Sequence, residues 1–435
     1  MESDDKVEVL ESCFVAPREA TPTKGLRLSP FDLALANRGH TPLVYVYRSG
    51  AAFFDVVRLK SAMAKALVAF YPLAGRLGAG DDGRVQIYCN GEGPLFVVAR
   101  SFVTANSINF SKPSPELRRM FVPRIEPPSL ILAVQVTFLK CGAVALGVAV
   151  HHAAVDAMSL FHFMQTWSAI TRDDGDGAAV ELELPCHDRT LLRARSPPSV
   201  HPSALSVLCP RVVFSETSEP TATEAFTISA DELATLKRLC GGASTFCSVS
   251  ALVWRCRCAS IARRLPPDAE ARLSFPANVR RHVTPPLPDR YFGNALVWLG
   301  ATAAARDVAS EPLASVAERV GGAVARMDDE LVRSAVDYLE LADEVDSRPL
   351  RGSMPETELR VISWLGMPAY EADFGGGSPQ VMSRAESVRG GFVYVMNDGR
   401  PADSSGVRVV MCTKAADMKE FERLLYANIA KPSKL

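Results

Sequence analysis

Two adjacent histidines, His151 and His152, are followed by an aspartate, Asp156, in the run His-His-Ala-Ala-Val-Asp. An imidazole titrates near neutrality, so it can take a proton from an alcohol or amine as that atom attacks a carbonyl. A carboxylate at this spacing can orient the imidazole, or it can sit at the start of a following helix, where negative charge is favoured. The same pattern also describes a packed core histidine with a helix N-terminal Asp. A metal hydrolase using His151, His152 and Asp156 is a further reading, but no third ligand of suitable spacing stands nearby.

The elements around these residues say how they can be placed. Val144 to Val150 is an apolar run of strand length, and Ser159 to Trp167 reads as a helix. The histidines therefore end a buried strand, where a rigid scaffold can present a side chain to a cleft. Neighbouring strand residues point to opposite faces, so only one of the two can face a given pocket. Leu130 to Leu139 forms the other arm of a hairpin turning at Lys140-Cys141-Gly142. Leu43 to Tyr47 is β-branched and aromatic, hence a strand. Asp55 caps a helix from about Val57 to Phe70, with Leu59, Met63, Ala66, Leu67 and Phe70 on one face. Ser229 and Glu232 make a capping box, and Ser244-Thr245-Phe246 opens a second helix. Two helices are expected over Ala301 to Val345, strands over Glu358 to Leu365, Phe392 to Asn397 and Val407 to Cys412, and a last helix over Ala415 to Ala427.

Composition bounds the function. The chain has 435 residues, 48% hydrophobic and 22% charged, which is a globular profile of one very large or two ordinary domains. A net charge of −1 gives no electrostatic case for nucleic acid or a membrane surface. The ten cysteines lie mostly in apolar segments without a CxxC pair, which reads as buried free thiols in a reducing compartment. The acidic start lacks an apolar signal segment, and no run reaches membrane-span length. The expected location is cytoplasmic. The final Ser433-Lys434-Leu435 spells a peroxisomal address and keeps that compartment as an alternative. A stretch rich in Pro, Ser and Arg divides the chain into residues 1–172, a solvated crossover at 173–223, and residues 224–435. No GxGxxG or P-loop opens a helix, so the common nucleotide-binding folds are not favoured.

Several short motifs occur together. His152 to Asp156 reads HxxxD, and Asp373-Phe374-Gly375-Gly376-Gly377 reads DFGGG. Tyr71-Pro72-Leu73-Ala74-Gly75-Arg76, Trp254-Arg255-Cys256, Asn278-Val279-Arg280, Pro286-Leu287-Pro288 and Tyr291-Phe292-Gly293-Asn294 complete the set. In kind and order these resemble the plant BAHD acyltransferases of the chloramphenicol-acetyltransferase-like superfamily, whose second motif is DFGWG. The resemblance implies an α/β fold of two chloramphenicol-acetyltransferase-like domains with mixed sheets and a tunnel at their interface. It implies a monomer acting on small molecules, with acyl-CoA as co-substrate and no bound cofactor or metal. His152 would be the general base. Asp156 would pair with Arg280 and hold the loop that aims it, Asp373 would be structural, and Ser244 and Thr245 would meet CoA. Gly376 stands where the family has Trp, a loss of apolar volume expected near the tunnel.

The acceptor follows from the same comparison. The shikimate and quinate branch carries an Arg at the place of Gly366 and a Ser at the place of Leu43, so a carboxylate acceptor loses those partners here. The stretches around Phe161-His162-Phe163 and Val361 to Pro368 resemble the grass amine N-hydroxycinnamoyltransferases. Hydroxycinnamoyl transfer to an amine such as agmatine, putrescine or tryptamine is therefore expected. Thr41, Tyr45, Ser363 and Trp364 are the candidate acceptor residues. Glu371 is the candidate carboxylate for a cationic acceptor, with a solvated loop residue as its alternative. O-acylation of an alcohol, or an acyl-CoA-binding protein that has lost catalysis, are the other readings.

Overall fold

Strand and helix choice follows local pattern where burial is one-sided and follows pairing where it is not. The computed structural model describes residues 6–48, 54–173, 183–209, 214–216, 219–266, 268–342, 352–399 and 406–429. The strands are β1 Val7–Phe14, β2 Leu26–Arg27, β3 His40–Tyr47, β4 Arg76–Ala79, β5 Val85–Tyr88, β6 Leu95–Ser101, β7 Leu132–Leu139 and β8 Val144–His151. They continue as β9 Thr221–Ile228, β10 Glu270–Asn278, β11 Leu296–Ala304, β12 Glu358–Ser363, β13 Val381–Arg384, β14 Phe392–Asn397 and β15 Val407–Lys414. The helices are α1 Pro30–Leu33, α2 Val56–Ala69, α3 Pro115–Phe121, α4 Ala157–Asp173, α5 Ala230–Leu239, α6 Thr245–Ile261, α7 Ala305–Ser310, α8 Leu313–Ala325, α9 Asp329–Leu341 and α10 Ala415–Ile429.

Two six-stranded mixed sheets carry the fold, in the orders β1-β6-β7-β8-β3-β13 and β11-β10-β12-β14-β15-β9. In the first, β6 and β7 run parallel. In the second, β12 runs parallel to both β10 and β14. Helices cover the sheets: α2 buries Leu59, Ala62, Met63, Ala66 and Leu67, the spacing of one helix face, with Asp55 as N-cap. The Ser229–Glu232 capping box forms as expected. Gly147 in β8 lets α3 pass close, because a Cβ there would overlap the Phe121 carbonyl.

Three features differ from the sequence expectation. Ala301 to Ala304 is helix-prone in composition, yet these residues pair with Glu270 to Leu273 as the end of β11, and three helices rather than two follow. Cross-strand pairing overrides local propensity there. The sheets also do not divide at one cut in the sequence: β13, from the second half, joins the first sheet beside β3, with Met382 opposite Tyr45. The crossover is only partly solvated, since Arg189 and Leu192 are buried. The turn at 174–177 and the terminal tripeptide lie outside the described residues.

Candidate active site

β8 ends at His151, and the chain leaves the sheet through His152. The His152 N–H still donates to the Gly39 carbonyl (2.9 Å), so its main chain is fixed by the adjacent strand edge. The two imidazoles part as strand geometry requires. The His151 ring packs edge-on against His40 at 4.9 Å, away from the cavity described below. Burial and the neighbouring His40 and His152 push its pKa down to about 3. His152 instead opens into a cavity of about 110 Å³ between the two sheets. From the first half that cavity is lined by Thr41, Leu43, Val150 and Phe161, and from the second by Asn278, Trp298, Ser363, Trp364, Arg384 and Tyr394, among others. Burial lowers the His152 pKa; its own carbonyl and Asp156 oppose this, while Arg38 and Arg384 add to it. The Nδ1 atom is buried without a hydrogen-bond partner.

Two buried networks hold the turn after His152. In the first, Asp156 receives Arg280 at both oxygens, Nη1 to Oδ2 at 2.8 Å and Nη2 to Oδ1 at 3.0 Å. Its carboxylate also accepts from the N–H groups of Ser159 (3.0 Å) and Ala295 (3.1 Å). Burial would raise the Asp156 pKa, but the guanidinium and these donors outweigh it and hold the group below the usual carboxylate value. Arg280 further donates to the Tyr291 and Gly293 carbonyls at 3.1 and 3.2 Å. The Asp156–Arg280 pair thus joins the start of α4 to the segment after β10, with Asp156 at the wall of the His152 cavity and both its oxygens taken.

The second network was not legible in the motifs. Asn294 donates its side-chain amide to the His152 carbonyl and to Asp32 Oδ1, each at 2.8 Å. Asp32 belongs to the capping box of α1 with Ser29. Its other oxygen lies 3.2 Å from Arg189 Nε, an ion pair with both side chains buried. Arg189 donates to the Ala154 carbonyl at 3.0 Å and to that of Phe292. A Cβ at Gly293, in Tyr291-Phe292-Gly293-Asn294, would meet the Arg189 guanidinium where it now lies. The spaced motif was visible in sequence; its partners Asp32 and Arg189, far away in the chain, carried no local signal.

The other expected site residues divide. Thr41, Ser363 and Trp364 line the cavity. Tyr45 lies on the same strand face but one step beyond it, fully buried, with its hydroxyl unpartnered and its pKa raised by burial and by Tyr370. Glu371 is exposed, outside the cavity lining, and accepts from Gln165 Nε2 at 2.6 Å. The chain turns at Gly366 (φ +69°), and Met367 is the residue of that loop that still reaches the cavity. Asp373 Oδ1 accepts from the N–H groups of Gly375 and Gly377, both at 2.8 Å, and so closes its own loop. Gly376 is exposed on that loop, so the missing indole leaves no gap in the cavity wall. The apolar anchor of the motif is instead Phe374, packed on Tyr47, Phe54 and Trp167. Ser244 caps α6 through the Cys247 N–H (3.2 Å) and borders an open cleft with Gly241, Gly242 and Glu318; Thr245 follows it at the first helical position. Among the described residues no three His, Cys, Asp or Glu side chains converge to hold a metal, and no helix is long and apolar enough to cross a membrane.

Residues 5–427 match the family described as Transferase family. Putrescine hydroxycinnamoyltransferase 1 of Oryza sativa subsp. japonica is 42% identical, over 97% of this chain and 99% of its own. The shikimate O-hydroxycinnamoyltransferase of Nicotiana tabacum is 36% identical over the same shares. In architecture the chain resembles the crystal structure of vinorine synthase, with a TM-score of 0.74, 22% identity, and 95% and 96% of the two chains covered. With the family model matching nearly the whole chain and relatives of 42% and 36% identity covering it, the chain belongs to the plant BAHD acyltransferases, acyl-CoA-dependent enzymes of two-domain α/β fold.

Proposed function

We propose that the protein transfers a hydroxycinnamoyl group from its CoA thioester to an amine, with His152 as general base in a direct ternary complex. The observation that carries this is the position of His152, whose imidazole opens into the cavity between the sheets while His151 packs away from it. Likeness to a rice enzyme named for putrescine supports an amine acceptor and a hydroxycinnamoyl donor. The neutral amine attacks the thioester carbonyl, and His152 takes a proton from the attacking nitrogen. Collapse of the tetrahedral adduct expels the CoA sulfur, which the imidazolium protonates, leaving an amide and free CoA. Asp156 with Arg280, and Asn294 with Asp32 and Arg189, hold the turn that aims the imidazole. Leu43 and Gly366 lack the hydroxyl and the cation that favour shikimate in the related branch.

Purified protein is given coumaroyl-CoA and a panel of amines beside shikimate, with free CoA and amide product measured. The expected result is amide formation that His152→Ala lowers by about 10²- to 10⁴-fold, the usual range for a positioned general base, while His151→Ala keeps most of it. Equal losses in both variants with unchanged circular dichroism would remove His152 from this role. Shikimate outpacing every amine would remove the amine.

A further inference from the structure

Among the described residues, the lining of the His152 cavity offers no free carboxylate to a second cationic group of an acceptor. Its charged lining groups are Asp156 and Arg384. Asp156 is held at both oxygens by Arg280. Arg384 comes from β13, the strand that crosses into the first sheet, where it stands opposite Leu43. Its guanidinium lies 4.6 Å from the Tyr394 ring centre, and its Nε donates to the Glu386 carbonyl at 3.3 Å. It has no carboxylate partner among the described residues.

Arg384 and Tyr394 also line a second cavity, of about 270 Å³. That cavity is walled by Arg38, Arg118 and Arg389, with His40 beside them. The one carboxylate on its lining, Glu386, is taken by Arg118 at 2.5 Å. Arg38 lies over the rings of Phe214, Trp298 and Phe392 at 5.7 to 5.9 Å, with its Nε buried and unpartnered. Arg384 is partly buried, and a partly desolvated cation with no carboxylate beside it is favoured by an anion that completes it. A diamine would bring a second positive charge toward this end of the cavity. A guanidinium fork is instead matched to a carboxylate.

We propose that the acceptor is an amine that also bears a carboxylate, and that this carboxylate docks on Arg384 where the two cavities meet. Arg38 adds positive potential behind it. The proposal rests on the amine reading above and narrows it to amino acids. It also answers the absence of a cation at Gly366: the charge enters from β13 instead. An anion could reach the same arginines from the CoA phosphates, so the test separates the two sources.

Matched amines with and without a carboxylate are compared as acceptors: ornithine against putrescine, tyrosine against tyramine, and anthranilate against aniline. Each is assayed with coumaroyl-CoA in the wild-type protein and in Arg384→Gln and Arg384→Lys. The wild type is expected to prefer the carboxylated member of at least one pair by tenfold or more in kcat/KM. Arg384→Gln should collapse that ratio at least tenfold through KM for the acceptor, with Arg384→Lys restoring part of it. Thermal unfolding of the variants shows whether they are folded. Preference for the carboxylate-free member in every pair would overturn the proposal, as would an unchanged ratio in Arg384→Gln. A rise in KM for coumaroyl-CoA with the acceptor ratio intact would assign the arginine to CoA and overturn it too. If no amine is acylated but shikimate is, and Arg384→Gln raises its KM, the amine reading fails while the carboxylate contact on Arg384 stands.

Discussion

Burial sets the protonation state of His152 before any substrate arrives. Its pKa lies below the ordinary imidazole value, driven first by desolvation and then by Arg38 and Arg384. A general base must be neutral, and a group with a depressed pKa is neutral at all pH values above it. On the proposed mechanism the His152 limb of the kcat/KM profile therefore falls below the free value of about 6.5. An aliphatic amine titrates near the lysine value of about 10.4, and only its neutral form has a lone pair to attack with. Rates with such an acceptor should climb from pH 7 to pH 9, after the histidine has finished titrating. An aromatic amine or an alcohol, uncharged throughout, should give a flat profile over the same window. Measuring both profiles checks the assignment. A break for the uncharged acceptor above pH 7 would mean that a group other than the buried imidazole is the base.

At the scale of elements, the sequence was most readable where one segment carries its own signal. The apolar face of α2, the cap at Asp55 and the capping box at Ser229 are local, and all three formed. That only one of His151 and His152 could face a cavity was readable from strand alternation, and His152 opens into the cavity while His151 packs on His40. What could not be read were pairs made across long distances. Residue 32 meets residue 294, and an arginine from the crossover pairs with Asp32, although nothing near Arg189 marks it as buried. The contribution of Arg384 was hidden for the same reason, since a four-residue strand gives no usable periodicity and its sheet is set by a partner over three hundred residues earlier. The Asp156–Arg280 contact is the pairwise link that can be tested directly. Asp156→Asn or Arg280→Ala leaves one buried charge without its partner, at a cost of roughly 3–5 kcal/mol. The double variant should be less destabilised than the sum of the two, a coupling visible in urea midpoints at unchanged m. Simple additivity would show that the pair does not share the energy its geometry suggests.

The molecule is tied together at its interface by more than side chains. β13 leaves the second half to become the outer strand of the first sheet, where it pairs with β3 from Val381 opposite Val46 to Arg384 opposite Leu43. Without β13, β3 becomes an edge, and its Pro42 to Tyr47 run is buried in the intact protein. An exposed apolar edge strand is a template for pairing with other chains. Residues 1–172 would also lose Arg280, Asn294 and Arg189, leaving Asp156 and Asp32 buried and unpaired. A fragment of residues 1–172 is therefore predicted not to fold into a stable monomer, even though its own sheet holds most of its strands. It should aggregate or bind a hydrophobic dye, whereas the whole chain should unfold in one transition that coincides by circular dichroism and tryptophan fluorescence. Two separate transitions in the whole chain, or a monodisperse fragment with cooperative unfolding, would show that the first half is self-sufficient. In that case β13 serves chiefly to carry Arg384 to the cavity rather than to complete the fold of the first half.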